Sequence, residues 1–337
     1  MMGRRLSGAG ALLLVAASLL ACGGSAPPPG PRPDAIAQRV ALPADAGAVA
    51  VGGGSVWVGL PGAVAQVGQA TRRITRTVDV GLVGLDVAFG YGSLWAVGTA
   101  EGRRRRTATG SYPVIEVVRV DPADGRVAAR IAVPARSNGN RVLATPSAVW
   151  VSDPAEGSRS RIWRIDPRTD RLNRRPLGRV SEPLALSLLG ASVWVANHDD
   201  RTLRRLDTAT GRLRDVVRLP ASPHGMAVTG GAVWIADAHH GAVLRVEPAR
   251  GRVGRAIAVG VETGALAPAA GGGVWVAGVG RGDGPSRTLV RLAANGRVAA
   301  RTDLGAAAVD VEAQGRVAWI TTTAPDQLLS VTPGRSR

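Results

Sequence analysis

Residues able to do chemistry are sparse in this 337-residue chain and fall in a few short segments. His198 stands in ANHDD, His224 in SPHGM, and His239 and His240 in DAHHG, which accounts for all 4 histidines. Asp153, Asn197 and Asp237 each follow a tryptophan by three residues, and Glu182 and Glu262 lie between repeats. Imidazole titrates near neutral pH and ligates Zn2+ readily, so histidine among carboxylates suits a divalent metal or a general base. The same residue types are also common in tight surface turns, and no pair has a spacing that dictates metal ligation.

The elements that position these residues are legible as a repeat. A glycine-rich turn followed by Val-Trp-Val or a close variant recurs around Trp57, Trp95, Trp150, Trp194, Trp234, Trp275 and Trp319. Trp163 lies outside the phrase. A second phrase follows each tryptophan, as in VVRVDPADGRV (117–127), IWRIDPRTDRL (162–172), LRRLDTATGRL (203–213) and VLRVEPARGRV (243–253). Apolar residues alternate with period two, and Asp-Pro-x-x-Gly is turn chemistry, so this second phrase is a β-hairpin. Each unit then supplies four strands, in the fifth unit about 225–228, 232–237, 242–246 and 252–259. Seven such units predict an all-β, seven-bladed β-propeller over 35–337, with the tryptophans as wedges between blades.

The last unit lacks a fourth strand, and IAQRVALP (36–43) matches RVAARIAVP (126–134). The first strand is therefore expected to complete the last blade and remove an open sheet edge. Connections between blades and loops after the tryptophan strands must share one mouth of such a ring, which places all four histidines there. His224 should lie closest to the central channel. Arg103–Arg106, in an extended loop after Trp95, and the long loops at 152–161 and 278–287 should flank the same mouth. GRGDG (280–284) reads as a glycine-rich turn.

The N-terminus speaks to location. Arg4 and Arg5 precede a mostly apolar stretch, 6–20, too short for a comfortable membrane span. It ends in Leu19-Leu20-Ala21-Cys22, which resembles a bacterial lipoprotein signal. The resemblance implies a signal peptide over 1–21, lipidation of Cys22 and a membrane anchor at the cell envelope. Residues 22–34 read as a tether, because APPPGPRP (26–33) favours an extended polyproline form. Cys22 is the only cysteine, so no intrachain disulfide can form.

The net charge is +17, all of its Lys+Arg being arginine. That balance admits a polyanion partner. The arginines recur at repeat positions rather than in one block, and only 3% of residues are aromatic, so nucleic acid is disfavoured.

The repeat resembles the YVTN or YncE-like bacterial propellers and the virginiamycin B lyase-like propellers over about 36–337. In the lyase-like family, Pro-His opens the innermost strand and an acid follows the tryptophan by three residues, in two neighbouring blades. Those residues form a metal-assisted acid–base site. Pro223-His224 with Asp237 after Trp234 fits this pattern, so the resemblance implies His224 and Asp237 as the catalytic pair. The neighbouring units depart from it, with Pro183-Leu184 and Asn197 before, and Thr263-Gly264 and Gly278 after. The leading expectation is an envelope-anchored binding or scaffolding propeller for a small molecule or an envelope protein or polymer. Its ligand site is expected among His198, Asn197, Asp153, Glu182, His239, His240 and Glu262, with a divalent metal as the candidate cofactor. A metal-dependent lyase and a polyanion- or DNA-binding propeller are the alternatives.

Overall fold

The computed structural model describes residues 34–107, 110–155, 160–177, 180–279 and 286–334. Cys22, the expected signal segment, the residues up to Pro33 and the Arg-Gly-Asp triplet lie outside the described residues. The chain forms seven antiparallel sheets; in six the strands meander outward in chain order from the innermost, and in the seventh the N-terminal strand takes the outermost place. In the fifth unit the strands are Met226–Thr229, Ala232–Asp237 and Ala242–Glu247, then a broken fourth strand at Arg252–Val253 and Ile257–Ala258. The break falls where the Gly254 N–H turns to the Arg245 carbonyl.

Each tryptophan of the repeat is buried and reaches into the next blade. Trp57 packs with Leu94, Val118 and Val120 of blade 2, and Trp95 with Val149, Val151 and Ile165 of blade 3. Trp150, Trp194, Trp234 and Trp275 continue the pattern around the ring. Trp319 closes it against Val56, Val58, Ala65 and Val67 of blade 1. Opposite four of these rings, Trp95, Trp150, Trp234 and Trp275, the neighbouring strand places an arginine whose guanidinium lies over the indole, 5.6 Å from the ring centroid for Arg291 on Trp275 and 5.9 Å for Arg245 on Trp234.

Closure runs through the first strand, Ala35–Ala41, which pairs antiparallel with Gln327–Thr332 to complete blade 7. Asp34, the last residue of the expected tether, is buried in the propeller. Its carboxylate accepts from Arg291 Nε at 2.8 Å and Nη2 at 2.9 Å, and from the Gly334 N–H at 3.0 Å. Among the described residues, seven core clusters fill the seven interfaces between blades, the last of them closing blade 7 on blade 1, so the propeller carries its own core.

One loop expectation is corrected. Arg103–Arg106 belong to a 15-residue strand, Ser93–Thr107, that pairs with Gly110–Val120 as a hairpin extending blade 2. The pairing is held by Arg103 on Glu116 and by Arg104 on Ser111. A strand, rather than a loop, satisfies the backbone of this polar stretch.

Two outcomes check the closure. Removing residues 34–41 should expose the Gln327–Thr332 edge and replace a cooperative thermal melt with aggregation seen by light scattering. Asp34→Ala, which strands the Arg291 guanidinium, should cost roughly 3 kcal/mol in urea unfolding.

Candidate functional site

The mouth is built where two kinds of segment meet. The linker entering blade 4 presents Glu182, and the turn leaving its tryptophan strand presents His198, whose backbone N–H donates to the Glu182 carbonyl at 3.0 Å. One blade on, the linker presents His224 and the turn after Trp234 presents His239. His224 is fixed by its own backbone, since its N–H donates to the Ala236 carbonyl at 3.0 Å and the Ala236 N–H returns to Gly225 at 2.8 Å. Gly225 must lack a side chain, because a Cβ there would stand 2.2 Å from the Gly264 carbonyl oxygen.

Three imidazoles converge as a result. Ring centroids lie 4.9 Å apart for His198 and His224, 5.2 Å for His224 and His239, and 6.3 Å for His198 and His239. One ligating nitrogen from each falls within 4.8 Å of the other two. A tetrahedral zinc with bonds of about 2.0–2.1 Å needs nitrogens roughly 3.4 Å apart, so a small contraction would seat the ion. Glu182 Oε2 lies 2.9 Å from His198 Nδ1, and the Ser222 carbonyl lies 3.3 Å from His224 Nδ1. Both contacts suit an Nδ1–H and leave Nε2 as the ligating atom, the arrangement seen around histidine ligands of metals. Glu182 adopts a left-handed φ of 47°, a strained backbone for this residue, and its N–H is held by Ser160 Oγ at 3.0 Å.

Burial and the neighbouring His198 push the His224 pKa below its ordinary value, which favours the neutral form a metal requires. Glu182 is pushed up by burial and by a hydrogen bond with Asp199, against the pull of His198. Asp199 joins Glu182 and His198 in a second group of potential ligands within 4.8 Å.

The remaining expected residues are deployed elsewhere. Asp153 is buried and accepts from the Arg136 N–H at 3.2 Å and Ser137 Oγ at 3.0 Å, closing the linker into its own blade. Asn197 plays the same part in blade 4, accepting from the Ser181 N–H at 3.2 Å and donating to Thr202 Oγ1 at 3.2 Å. Asp237 faces His240, with Oδ2 2.8 Å from Nδ1 and Oδ1 accepting the His240 N–H at 3.3 Å. His240 otherwise points into solvent, its side chain 72% exposed. Glu262 opens the first strand of blade 6, paired with Val279. Asp237 therefore shapes the turn that carries His239, and its carboxylate is engaged by His240.

Sequence reasoning passed over a group below the mouth. A central channel of about 880 Å³ is lined by all seven inner strands, and Asp86, Asp310, Glu312 and Arg141 project among its apolar residues. Two of these acids stitch blades together. Asp310 Oδ2 accepts from the Val49 N–H at 2.9 Å, and Asp86 Oδ2 from the Val142 N–H at 2.7 Å. Burial, reinforced by the nearby acids, raises Glu312 to about 7 and Asp310 to about 6. The only signal was an acid inside an apolar inner strand, as in LVGLDVAFG and AAVDVEAQ.

No protein-family model and no curated protein sequence matches the chain. Among solved structures, virginiamycin B lyase from Staphylococcus aureus superposes with a TM-score of 0.70 at 14% identity, covering 88% of this chain and 98% of that one. A catalytically inactive histidine-to-alanine variant of the same lyase, solved with quinupristin, gives a TM-score of 0.70 at 16% identity and the same coverage.

The channel acids predict a pH dependence of stability. Both hold protons in the folded chain that the unfolded chain releases near pH 4, so their stabilising protonation is lost as pH rises through about 6 to 7. Glu312→Gln should leave the melting temperature little changed at pH 5 and raise it at pH 8, as measured by paired thermal melts. The chain has the fold of virginiamycin B lyase, a seven-bladed β-propeller, with a three-imidazole cluster at its mouth.

Proposed function

We propose that this is an exported, Cys22-anchored binding propeller whose ligand site is the His198, His224 and His239 cluster, loaded with a divalent transition metal. One observation carries the reading. Three of the chain's four histidines, from three separate segments, bring ligating nitrogens within 4.8 Å of one another. Three imidazole ligands select zinc or its first-row neighbours over Mg2+ or Ca2+, which prefer oxygen. Three protein ligands leave a fourth position open for an exogenous group, the pattern of a site that binds or activates rather than one that only braces the fold. The channel below the mouth would receive the rest of a small ligand.

Calorimetric titration of residues 26–337 with Zn2+ should give one tight site. His198→Ala, His224→Ala and His239→Ala should each abolish or severely weaken it. Glu182→Gln should cost about 10–100-fold by releasing His198. His240→Ala should bind as wild type. Equal affinity in wild type and all three alanine variants would sink the reading.

A metal-dependent lyase is the second reading, favoured by the likeness to virginiamycin B lyase and by Pro223-His224 opening an inner strand at the mouth. An ion held by His198 and His239 would polarise a substrate carbonyl, while His224, left free, takes up a proton as the ring C–O bond breaks and a carboxylate leaves. Metal-loaded protein incubated with a streptogramin-type lactone should then yield a linear product that His224→Ala does not form. An intact lactone after incubation with the metal-loaded wild type would exclude that substrate. DNA binding is less well supported, because the repeat tryptophans are committed to the core and give no stacking platform.

A further inference from the structure

The face opposite the histidine mouth has features that neither the metal site nor the channel uses. It carries the tight turn between the first two strands of each blade and the hairpin between the last two. The chain also enters the propeller there. Ala35 pairs with Thr332, at the far end of a strand whose start, Gln327, lies beside Thr322 on the mouth side. Asp34 is locked at that far end by Arg291 and the Gly334 N–H.

The turns on this face separate their charges. Carboxylates are folded back into the turns: Asp166 accepts the Arg168 N–H at 2.9 Å, Asp207 accepts the Thr210 N–H at 2.8 Å, and Asp170 pairs with Arg119 at 2.7 Å. Guanidiniums are left outside. Arg73, Arg171, Arg212 and Arg316, from four different blades, are exposed and have no carboxylate within 4 Å among the described residues.

Between the turns of blades 2 and 3 this face opens into a hollow of about 630 Å³. Tyr91, Arg164, Arg168 and Arg171 are among its lining residues. Tyr91 is 40% exposed at the tip of a tight turn, with a left-handed φ of 54°, and its hydroxyl accepts from Arg168 Nε at 2.6 Å. An exposed tyrosine beside paired arginines combines an amphipathic ring with forked phosphate donors.

We propose that this hairpin face lies on a bilayer containing anionic phospholipid, with one phosphate headgroup in the hollow and the histidine mouth turned away from the membrane. The proposal supplies the membrane partner of the anchored reading above and rests on that reading for its setting. The entry of the chain on this face favours it, since a lipidated Cys22 twelve residues before Asp34 would sit within roughly 37 Å of it even on a fully extended polyproline tether. Charge complementarity favours the same orientation.

The test needs no lipid anchor, because the propeller carries its own core. Residues 26–337 are mixed with vesicles of phosphatidylcholine alone or with phosphatidylglycerol added, and co-sedimentation is measured against salt. Binding is expected only with phosphatidylglycerol, and it should weaken as salt rises. Combining Arg168→Gln, Arg171→Gln and Arg212→Gln should weaken it by about fivefold per arginine removed. Arg104→Gln with Arg105→Gln, on the mouth hairpin, should leave it unchanged. Absence of binding to phosphatidylglycerol vesicles would overturn the proposal. So would loss of binding in the mouth variant but not in the hairpin-face variant, or retention of inorganic phosphate in the hollow without any vesicle binding. Zinc titration of the same preparations keeps the two readings apart: a protein that binds zinc but no vesicle refutes only the membrane face.

Discussion

A four-stranded sheet with two apolar faces cannot stand alone in water, and this single constraint shapes the rest of the molecule. Each blade has Val-Trp-Val or a close relative on its second strand, so the tryptophan addresses one neighbour and the flanking residues the other. Trp57 enters blade 2 while Val56 and Val58 of the same strand receive Trp319. Burying every face in this way requires as many interfaces as blades, which a ring satisfies and an open arc does not. Ring closure is therefore a condition of the core, and Asp34 on Arg291 fastens the strand that completes it.

The same constraint decides where chemistry can occur. Strands that are covered on both faces offer no surface for a ligand, so polar side chains able to act are confined to loops and to the inner wall of the channel. Blades 4 and 5 use the loops. Their Trp194–Val233 interface fixes the spacing between one blade's turn and the next blade's linker. His198, His224 and His239 are held in register by that packing, as a first coordination shell must be. Asp153 and Asn197 use the same level of the fold to close linkers onto their own blades.

Fold and site were legible to different depths for this reason. Blade number, strand content and closure are written into a pattern repeated seven times, so that errors in single copies, such as the broken fourth strand of blade 5, do not matter. A site is written once. Topology placed His198, His224 and His239 on one face, but their separation depends on linker paths that no periodicity encodes. Asp237 shows the limit most clearly. Its place three residues after Trp234 suggested a partner for His224, yet the turn brings His240 back to it at 2.8 Å, a local closure that the sequence pattern does not distinguish from a functional pairing. The channel acids were invisible for a further reason. Asp310 and Glu312 alternate with apolar residues as solvent-facing positions do, and only the closed ring turns that face into a confined channel.

Net charge is the property most open to misreading here, because +17 describes two populations of arginine. Arg119, Arg245 and Arg291 recur because the repeat recurs: each stands across from a tryptophan and covers its indole. Each is neutralised in place, Arg119 by Asp170, Arg245 by Glu247 and Arg291 by Asp34. Their charge belongs to the packing, and a partner approaching the surface meets little of it. Turn arginines such as Arg73, Arg171, Arg212 and Arg316 have no such duty. A long-range field is set by the total, whereas a contact is set by the guanidiniums still free to turn toward a partner. Sorting the arginines by what they already touch thus converts a featureless basic composition into one face with charge to spare.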